Sequence, residues 1–141
     1  MSNTCCPVVH FELPYDDRER IVNFYREVFD WEIELLGPEM DNYALVRQPK
    51  EDVTPDAVKG AVGGGFFPRS PGNEAPSVVI RVADVRTAME KIAAAGGKIL
   101  GGDHNTSGEP DDIPGVGLYC RFLDTEGNNN SILQPSSRHG A

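Results

Sequence analysis

The sequence of 141 residues has few long apolar runs and no transmembrane candidate among them. No run approaches the roughly 18 apolar residues that cross a bilayer. The first residues, MSNTCCPVV, lack the basic segment and apolar core of a signal peptide. We therefore expect a soluble cytoplasmic protein with no membrane partner.

Cysteine and basic charge are also scarce. The three cysteines, two of them adjacent at Cys5 and Cys6, cannot form a disulfide framework. Cys120 lies in an apolar segment, which indicates a buried small side chain rather than a nucleophile. With 13 Lys and Arg against 22 Asp and Glu, the net charge of −9 argues against nucleic-acid binding.

The most informative stretch runs from residue 8 to residue 33. The alternation in VVHFEL predicts a strand with His10 and Glu12 on one face, ended by Pro14. Asp16, three residues before Glu19, predicts the start of a helix. The helix carries apolar residues at the spacing of one buried stripe: Ile21, Phe24, Tyr25 and Val28. Trp31 leads into a second strand.

A weaker copy of this stretch begins 67 residues later, at Ser77. Asp84 then aligns with Asp17, Leu100 aligns with Ile33, and His10 falls on Ser77. The repeat predicts a duplicated module with its function between the two copies.

The remaining pattern completes each copy as a βαβββ unit. Further strands are predicted over 42–48, 60–68, 77–82, 98–102, 115–124 and 131–135, with a helix after Asp84 and a linker over 69–76. The longest irregular stretch, 102–114, is typical of a lid or mobile loop. The three glycines from Gly63 to Gly65 predict a bend, or a group packed close against the backbone. They lack the spacing of a phosphate-binding loop.

The chain resembles the glyoxalase/bleomycin-resistance/dioxygenase group, the vicinal-oxygen-chelate superfamily. The resemblance is carried by HFELPYDDRERIVNFYREVFDWE, VADVRTAMEKIAAAGGKI and FLDTEGNNNSIL, the last with Thr125 where the family has proline. It implies an α+β fold in which paired βαβββ modules form a curved mixed sheet around a cleft. The whole chain, 1–141, would be one such domain, with modules over about 7–68 and 76–135.

The resemblance also implies where a metal would bind. Metal-dependent relatives place one ligand on the first and last strand of each module. Those positions fall on His10, fourteen residues before Phe24, and on Ser77, Ser131 and Gly64. Hydroxyl groups and glycine do not hold a transition metal. We therefore expect no metal and no cofactor, although a divalent ion held by other ligands stays open.

Several polar residues are candidates for a site. His10 and Glu12 are the candidate catalytic pair, with a histidine near neutrality as general base; the alternative is a structural histidine bonded to a neighbouring strand. The candidate ligand-binding residues are Arg81, Tyr119, Arg121, Ser77 and Ser131, because arginine can anchor a carboxylate or phosphate. Alternatively, the arginines pair with surface carboxylates. His104 would be a lid residue or a solvated loop histidine.

Three functions remain open at this stage. The first is a metal-independent small-molecule binding protein with its ligand in the cleft between the modules. The second is a metal-dependent lyase, isomerase or dioxygenase acting on a small oxygenated substrate. The third is a regulatory partner with a vestigial cleft. We also expect a homodimer, because strands 60–68 and 131–135 and the helix residues Val22 and Phe29 would need cover.

Overall fold

The computed structural model describes residues 6–47, 60–105 and 107–136. The polar segment 49–58, for which two prolines predict a loop, and most of both termini lie outside these ranges. The described chain divides into two compact units, one within His10–Pro76 and one formed by residues 77–136 together with residues 6–9. Neither of the two α-helices in the described ranges is long and apolar enough to cross a membrane.

The first unit follows the predicted βαβββ order. Its elements are β1 (Val8–Tyr15), α1 (Arg18–Phe29), β2 (Glu32–Leu35), β3 (Ala44–Arg47) and β4 (Gly63–Pro68). The strands lie in the order β2-β3-β4-β1. The pairs β2–β3 and β3–β4 are antiparallel, whereas β4 and β1 are parallel.

The second unit repeats this arrangement. Its elements are β5 (Ser77–Arg81), α2 (Val85–Ala94), β6 (Lys98–Gly101), β7 (Asp111–Ile113), β8 (Gly117–Leu123) and β9 (Asn129–Pro135). The order β5-β9-β8-β6 corresponds strand for strand to β1-β4-β3-β2, with β7 added beside β8. The predicted α+β class is confirmed. Residues 102–114 are not wholly irregular, because β7 forms within them.

The start of α1 differs from its prediction. Pro14 does not end β1, since it pairs with Phe67 in the parallel register and the strand continues to Tyr15. The helix is capped by Asp17, whose side chain accepts a hydrogen bond from the backbone N–H of Arg20 at 3.1 Å. Asp16 instead forms an ion pair with Arg69 at 3.0 Å. Asp84 caps α2 as expected from the sequence.

The buried face of α1 also differs from its prediction. Val22 is buried at 2% exposure, whereas Phe24 and Val28 are 52% and 54% exposed. Tyr25 does face inward, stacking on Trp31 with ring centroids 4.6 Å apart. The helix is therefore rotated towards Val22, and the expected stripe of Phe24 and Val28 is wrong. The core of this unit consists of Val22, Ile33, Ala44, Val46 and Phe66.

In each unit the helix covers one face of the strands. The core of the second unit consists of Val82, Val85, Cys120, Phe122 and Ile132. Burial raises the pKa of the Cys120 thiol, which agrees with a packing role for this cysteine. Because side chains alternate along a strand, every second residue points away from the helix. We call this side the helix-free face of each unit.

Candidate functional site

His10 and Glu12 lie on the helix-free face of the first unit, two residues apart on β1. Their neighbour Phe11 points the other way, into the core beneath α1. Tyr43, immediately before β3, connects the two side chains. Its hydroxyl lies 2.7 Å from Nε2 of His10 and donates to Oε2 of Glu12 at 3.0 Å. Imidazole, phenol and carboxylate therefore form one hydrogen-bonded chain.

Burial determines the charge state of the groups in this hydrogen-bonded chain. Glu12 is only 8% exposed, so its carboxylate has little contact with bulk water. Burial also lowers the pKa of His10, which favours the neutral imidazole at neutral pH. A neutral imidazole carries one N–H donor and one lone-pair acceptor. The group can therefore accept a hydrogen bond or a proton.

The three consecutive glycines of β4 make room for this arrangement. A Cβ atom on Gly65 would lie 2.0 Å from the Tyr43 hydroxyl, so a side chain at this position would displace the Tyr43 ring. A Cβ atom on Gly64 would lie 2.5 Å from the ring of Phe11 on the opposite face. Of the two readings of this glycine run, close packing against the backbone is the one that the structure shows.

Side chains from α1 and β1 fix the backbone that carries Tyr43. Arg18, in the first turn of α1, donates from Nη1 to the carbonyl oxygens of Leu36 at 2.7 Å and Tyr43 at 3.3 Å. The Tyr15 hydroxyl donates to the carbonyl oxygen of Asn42 at 2.7 Å. These hydrogen bonds connect the turn between β2 and β3 to α1 and to β1. They fix the backbone of Tyr43 so that its ring lies across β4.

The strand registers correct one of the implied metal positions. Val79 pairs with Ser131 in the second unit, and its counterpart Glu12 pairs with Gly65 in the first. The residue equivalent to Ser131 is therefore Gly65, not Gly64, which lies over the core. Gly65 has no side chain, and the Tyr43 hydroxyl lies where one would project.

The residues present do not fit a transition-metal site. Within the described ranges, no three His, Cys, Asp or Glu side chains are close enough together to hold a metal ion. Nε2 of His10 is engaged by Tyr43, and serine and glycine supply no suitable ligand at the remaining positions.

The candidate ligand-binding residues lie on the helix-free face of the second unit, where the register brings most of them together. Ser131 pairs with Val79 on one side and with Arg121 on the other. Arg121 is 6% exposed and donates from Nε to Asp103 at 2.9 Å. It also donates from Nη1 to Asn129 at 3.2 Å. The alternative reading, an arginine paired with a carboxylate, thus describes its contacts.

The other four residues of this group differ in exposure. The ring of Tyr119 lies under Arg121, with the guanidinium carbon 5.8 Å from its centroid. Ser77 and Ser131 are buried, and their hydroxyls have no hydrogen-bond partner among the described residues. Arg81 is exposed, and its backbone N–H donates to the carbonyl oxygen of Pro7 at 2.9 Å.

His104 is a loop residue with a side chain that is 64% exposed, and it also contacts a carboxylate. Its Nδ1 lies 3.1 Å from Oδ2 of Asp111, the first residue of β7. Burial alone would raise the pKa of Asp111. Hydrogen bonds from the backbone of His104, the side chain of Asn105, the backbone of Asp103 and the ring of His104 nevertheless lower that pKa overall. Asp111 therefore organises the preceding loop.

Two of these residues, Tyr43 and Asp111, were not singled out by the sequence. Tyr43 extends the alternating pattern of β3 by one residue and lies on the side that faces away from the core. The next strand in the chain contains Gly63–Gly65, which leave space for an aromatic ring. Those two signals together could have identified it. Asp111 lies in a polar stretch without periodicity, and its contacts carry no local signal.

A separate open depression of about 310 Å³ lies near the start of α1. It contains the Asp16–Arg69 ion pair and none of the predicted site residues. Its lining consists of Pro14, Tyr15, Asp16, Asp17, Arg20, Ile21, Phe24 and Arg69.

Comparison with known proteins bears on this geometry. Residues 8–49, which include His10, Glu12 and Tyr43, match the family model for the bleomycin resistance protein-like N-terminal region. No curated protein matches the chain in sequence. This family match covers less than half of the chain. Together with the shared fold described next, it supports the resemblance to the glyoxalase/bleomycin-resistance/dioxygenase superfamily.

Solved structures share the fold of this chain at low identity. Methylmalonyl-CoA epimerase from Streptomyces coelicolor, in complex with 2-nitronate-propionyl-CoA, is 16% identical with a TM-score of 0.63, covering 92% of this chain and 97% of that one. The epimerase from Mycobacterium tuberculosis is 12% identical with a TM-score of 0.62, covering 100% and 97%. A hypothetical protein, BH1468 from Bacillus halodurans C-125, is 9% identical with a TM-score of 0.63, covering 92% and 94%. At these identities the likeness concerns the fold alone.

Proposed function

We propose that this protein is a small-molecule binding protein of the glyoxalase/bleomycin-resistance/dioxygenase superfamily that works without a metal. Its ligand contacts the hydrogen-bonded chain of His10, Tyr43 and Glu12. One observation carries the proposal: the Tyr43 hydroxyl lies where a side chain at position 65 would project and engages Nε2 of His10. A tyrosine immediately before β3 thus occupies the place that a metal ligand would need.

The chemistry of this face suits recognition of a polar organic molecule. Imidazole, phenol and carboxylate supply directional hydrogen bonds, and burial strengthens each of them. Phe67, buried in the same unit, adds an apolar surface. A few placed polar groups beside apolar side chains are typical of small-molecule sites. The S. coelicolor epimerase structure, which holds a CoA ester analogue, supports a small-molecule ligand by analogy.

The proposal is tested by metal analysis and ligand binding on the same preparation. Protein purified without chelator is expected to contain far less than one equivalent of Zn, Ni, Mn or Fe. A small-molecule library screened by NMR should yield ligands that perturb His10. These ligands should bind more weakly to His10→Ala and Glu12→Gln. His104→Ala is the matched control, since His104 belongs to the other unit. Equal binding by all variants would refute this face as the site.

The second candidate is a metal-dependent lyase, isomerase or dioxygenase. It is favoured by one observation, namely that His10 and Glu12 place an imidazole and a carboxylate on one strand face. Both are possible metal ligands. One equivalent of tightly held metal that is lost in His10→Ala would favour this enzyme over the binding protein.

A further inference from the structure

The hydrogen-bonded chain contains a limited number of protons, and this determines the direction of each bond. A tyrosine hydroxyl has one proton to donate and can accept through its lone pairs. The Tyr43 hydroxyl donates to Oε2 of Glu12, and a carboxylate accepts only. The contact of 2.7 Å between Tyr43 and Nε2 of His10 must then be donated by the histidine. Nε2 carries the proton.

This direction leaves the other ring nitrogen as an acceptor. In a neutral imidazole only one nitrogen carries a proton, so Nδ1 of His10 has a free lone pair. Among the described residues, Nδ1 has no hydrogen-bond partner. It is also not among the fully buried atoms that lack a partner. Nδ1 therefore keeps some exposed surface, which is what contact with a ligand requires.

Tyr43 is held so that it imposes this direction. Gly65 admits its hydroxyl against β4, and Arg18 holds its carbonyl oxygen. The tyrosine ring is nearly parallel to the imidazole, at 14°, with centroids 6.3 Å apart. The hydroxyl therefore meets Nε2 from a fixed side, and the imidazole cannot turn over without losing this bond.

We infer that Tyr43 is a positioning residue that fixes His10 as the Nε2–H tautomer, and that Nδ1 accepts a hydrogen bond from a ligand bearing a hydroxyl or N–H group. The assignment of the ligand class rests on the proposed binding function, whereas the tautomer does not. The opposite arrangement has a proton on Glu12, a bond from Tyr43 to Nε2, and Nδ1–H as a donor. That arrangement would select a ligand that accepts a hydrogen bond.

Nitrogen NMR distinguishes the two arrangements in the full-length protein. Long-range ¹H–¹⁵N correlation spectra at pH 7 report which nitrogen of each of the three histidines is protonated. His10→Gln assigns the His10 signals. Wild type is expected to show Nε2 protonated and Nδ1 unprotonated at His10, and Tyr43→Phe should give a mixture. His104 is an internal reference for the opposite pattern, because its Nδ1 faces the Asp111 carboxylate. An Nδ1–H tautomer in wild type, or no change in Tyr43→Phe, would overturn the inference.

A matched pair of probes tests the ligand class. Phenol donates a hydrogen bond and anisole, its methyl ether, does not. Phenol should shift the Nδ1 signal of His10 and anisole at equal concentration should not. The phenol response should fall in Tyr43→Phe in proportion to the remaining Nε2–H fraction. Equal responses to both probes would refute the ligand class. No response to either, with the tautomer as expected, would count against both the ligand class and the binding function. A reversed tautomer with phenol still bound would overturn only the inference.

Discussion

At the scale of single residues, Tyr43 and Gly65 depend on each other. Gly65 does not have a positive φ angle. A glycine is favoured at this position because the phenol ring of Tyr43 lies against its Cα atom. The same residue pair removes the metal ligand position and fixes the imidazole. One steric contact therefore determines the chemistry of the face.

A double-mutant cycle measures this contact. Gly65→Ala should lower the free energy of unfolding by about 1–3 kcal/mol, as overpacking does. The same change in a Tyr43→Ala background should cost much less, because the space is then empty. The coupling free energy from urea denaturation of the four proteins should be about 1–3 kcal/mol. Equal costs in both backgrounds would show that the ring does not lie over position 65.

At the scale of elements, the orientation of α1 decides which of its aromatic neighbours stabilise the fold. Phe66 is fully buried beneath the helix, whereas Phe24 is 52% exposed. Phe66→Ala should lower the free energy of unfolding by about 3–5 kcal/mol, because it leaves a core cavity. Phe24→Ala is the matched control and should cost below about 1 kcal/mol. Comparable losses in the two variants, measured in protein dilute enough to be monomeric, would place Phe24 in the core after all.

The loop before β7 depends on one carboxylate. Asp111 accepts from the backbone N–H groups of Asp103 at 2.6 Å and His104 at 3.0 Å, and from the side chain of Asn105 at 2.9 Å. Asp111→Asn replaces an acceptor oxygen by an N–H group facing these donors. The variant should lose about 1–3 kcal/mol of unfolding free energy at neutral pH, as when buried donors lose their partner.

This loss should depend on pH in one direction. The pKa of Asp111 is lower in the folded protein than its ordinary value of 3.8, so its ionised form stabilises the fold. The stabilisation is fully present above that value and disappears as the pH falls through the lowered folded pKa. Urea denaturation at pH 7 and pH 3 should therefore show a smaller difference between wild type and Asp111→Asn at pH 3. Asp112→Asn, at the exposed neighbour, is the control. A difference that grows in acid would contradict this assignment.

The elements were predictable from the sequence to the extent that local patterns determine them. Alternation in VVHFEL and the helical spacing after Asp84 gave strands, helices and the duplicated order correctly. The face of α1 could not be obtained locally, because Trp31 and Phe66 select Tyr25 and Val22 over Phe24. The strand β7 could not be obtained either, since Asp111 gains its role from loop residues that fold back on it. The predicted pair His10 and Glu12 does share a face, but their connection through Tyr43 requires the register of β3 against β4.

At the scale of the whole molecule, net charge and exposed apolar surface have opposite effects on the association of two copies of the chain. The net charge of −9 keeps copies of the chain apart, most strongly at low salt. The strands expected to need cover do not, because β4 lies between β3 and β1 and β9 lies between β5 and β8. Val22 is buried as well. The apolar surface that a second copy could still cover is the outer side of α1, where Phe24, Val28 and Phe29 are 52–55% exposed.

We predict that this side of α1 contacts a second copy, so that the protein is a homodimer. Three large apolar residues within six positions of one helix are unusual on a free surface. A stable dimer buries on the order of 1,600 Å² in total, so the contact must extend beyond these residues.

Light scattering at micromolar concentration should give twice the chain mass of 15.4 kDa. Phe24→Lys should shift the mass towards the monomer, because it places an unpaired charge in an apolar contact. Ala93→Lys, an exposed position on α2, is the matched control and should leave the mass unchanged. A wild-type mass of 15.4 kDa that stays constant on tenfold concentration would refute the dimer. The exposed aromatic side of α1 would then have to be covered by a partner other than a second copy.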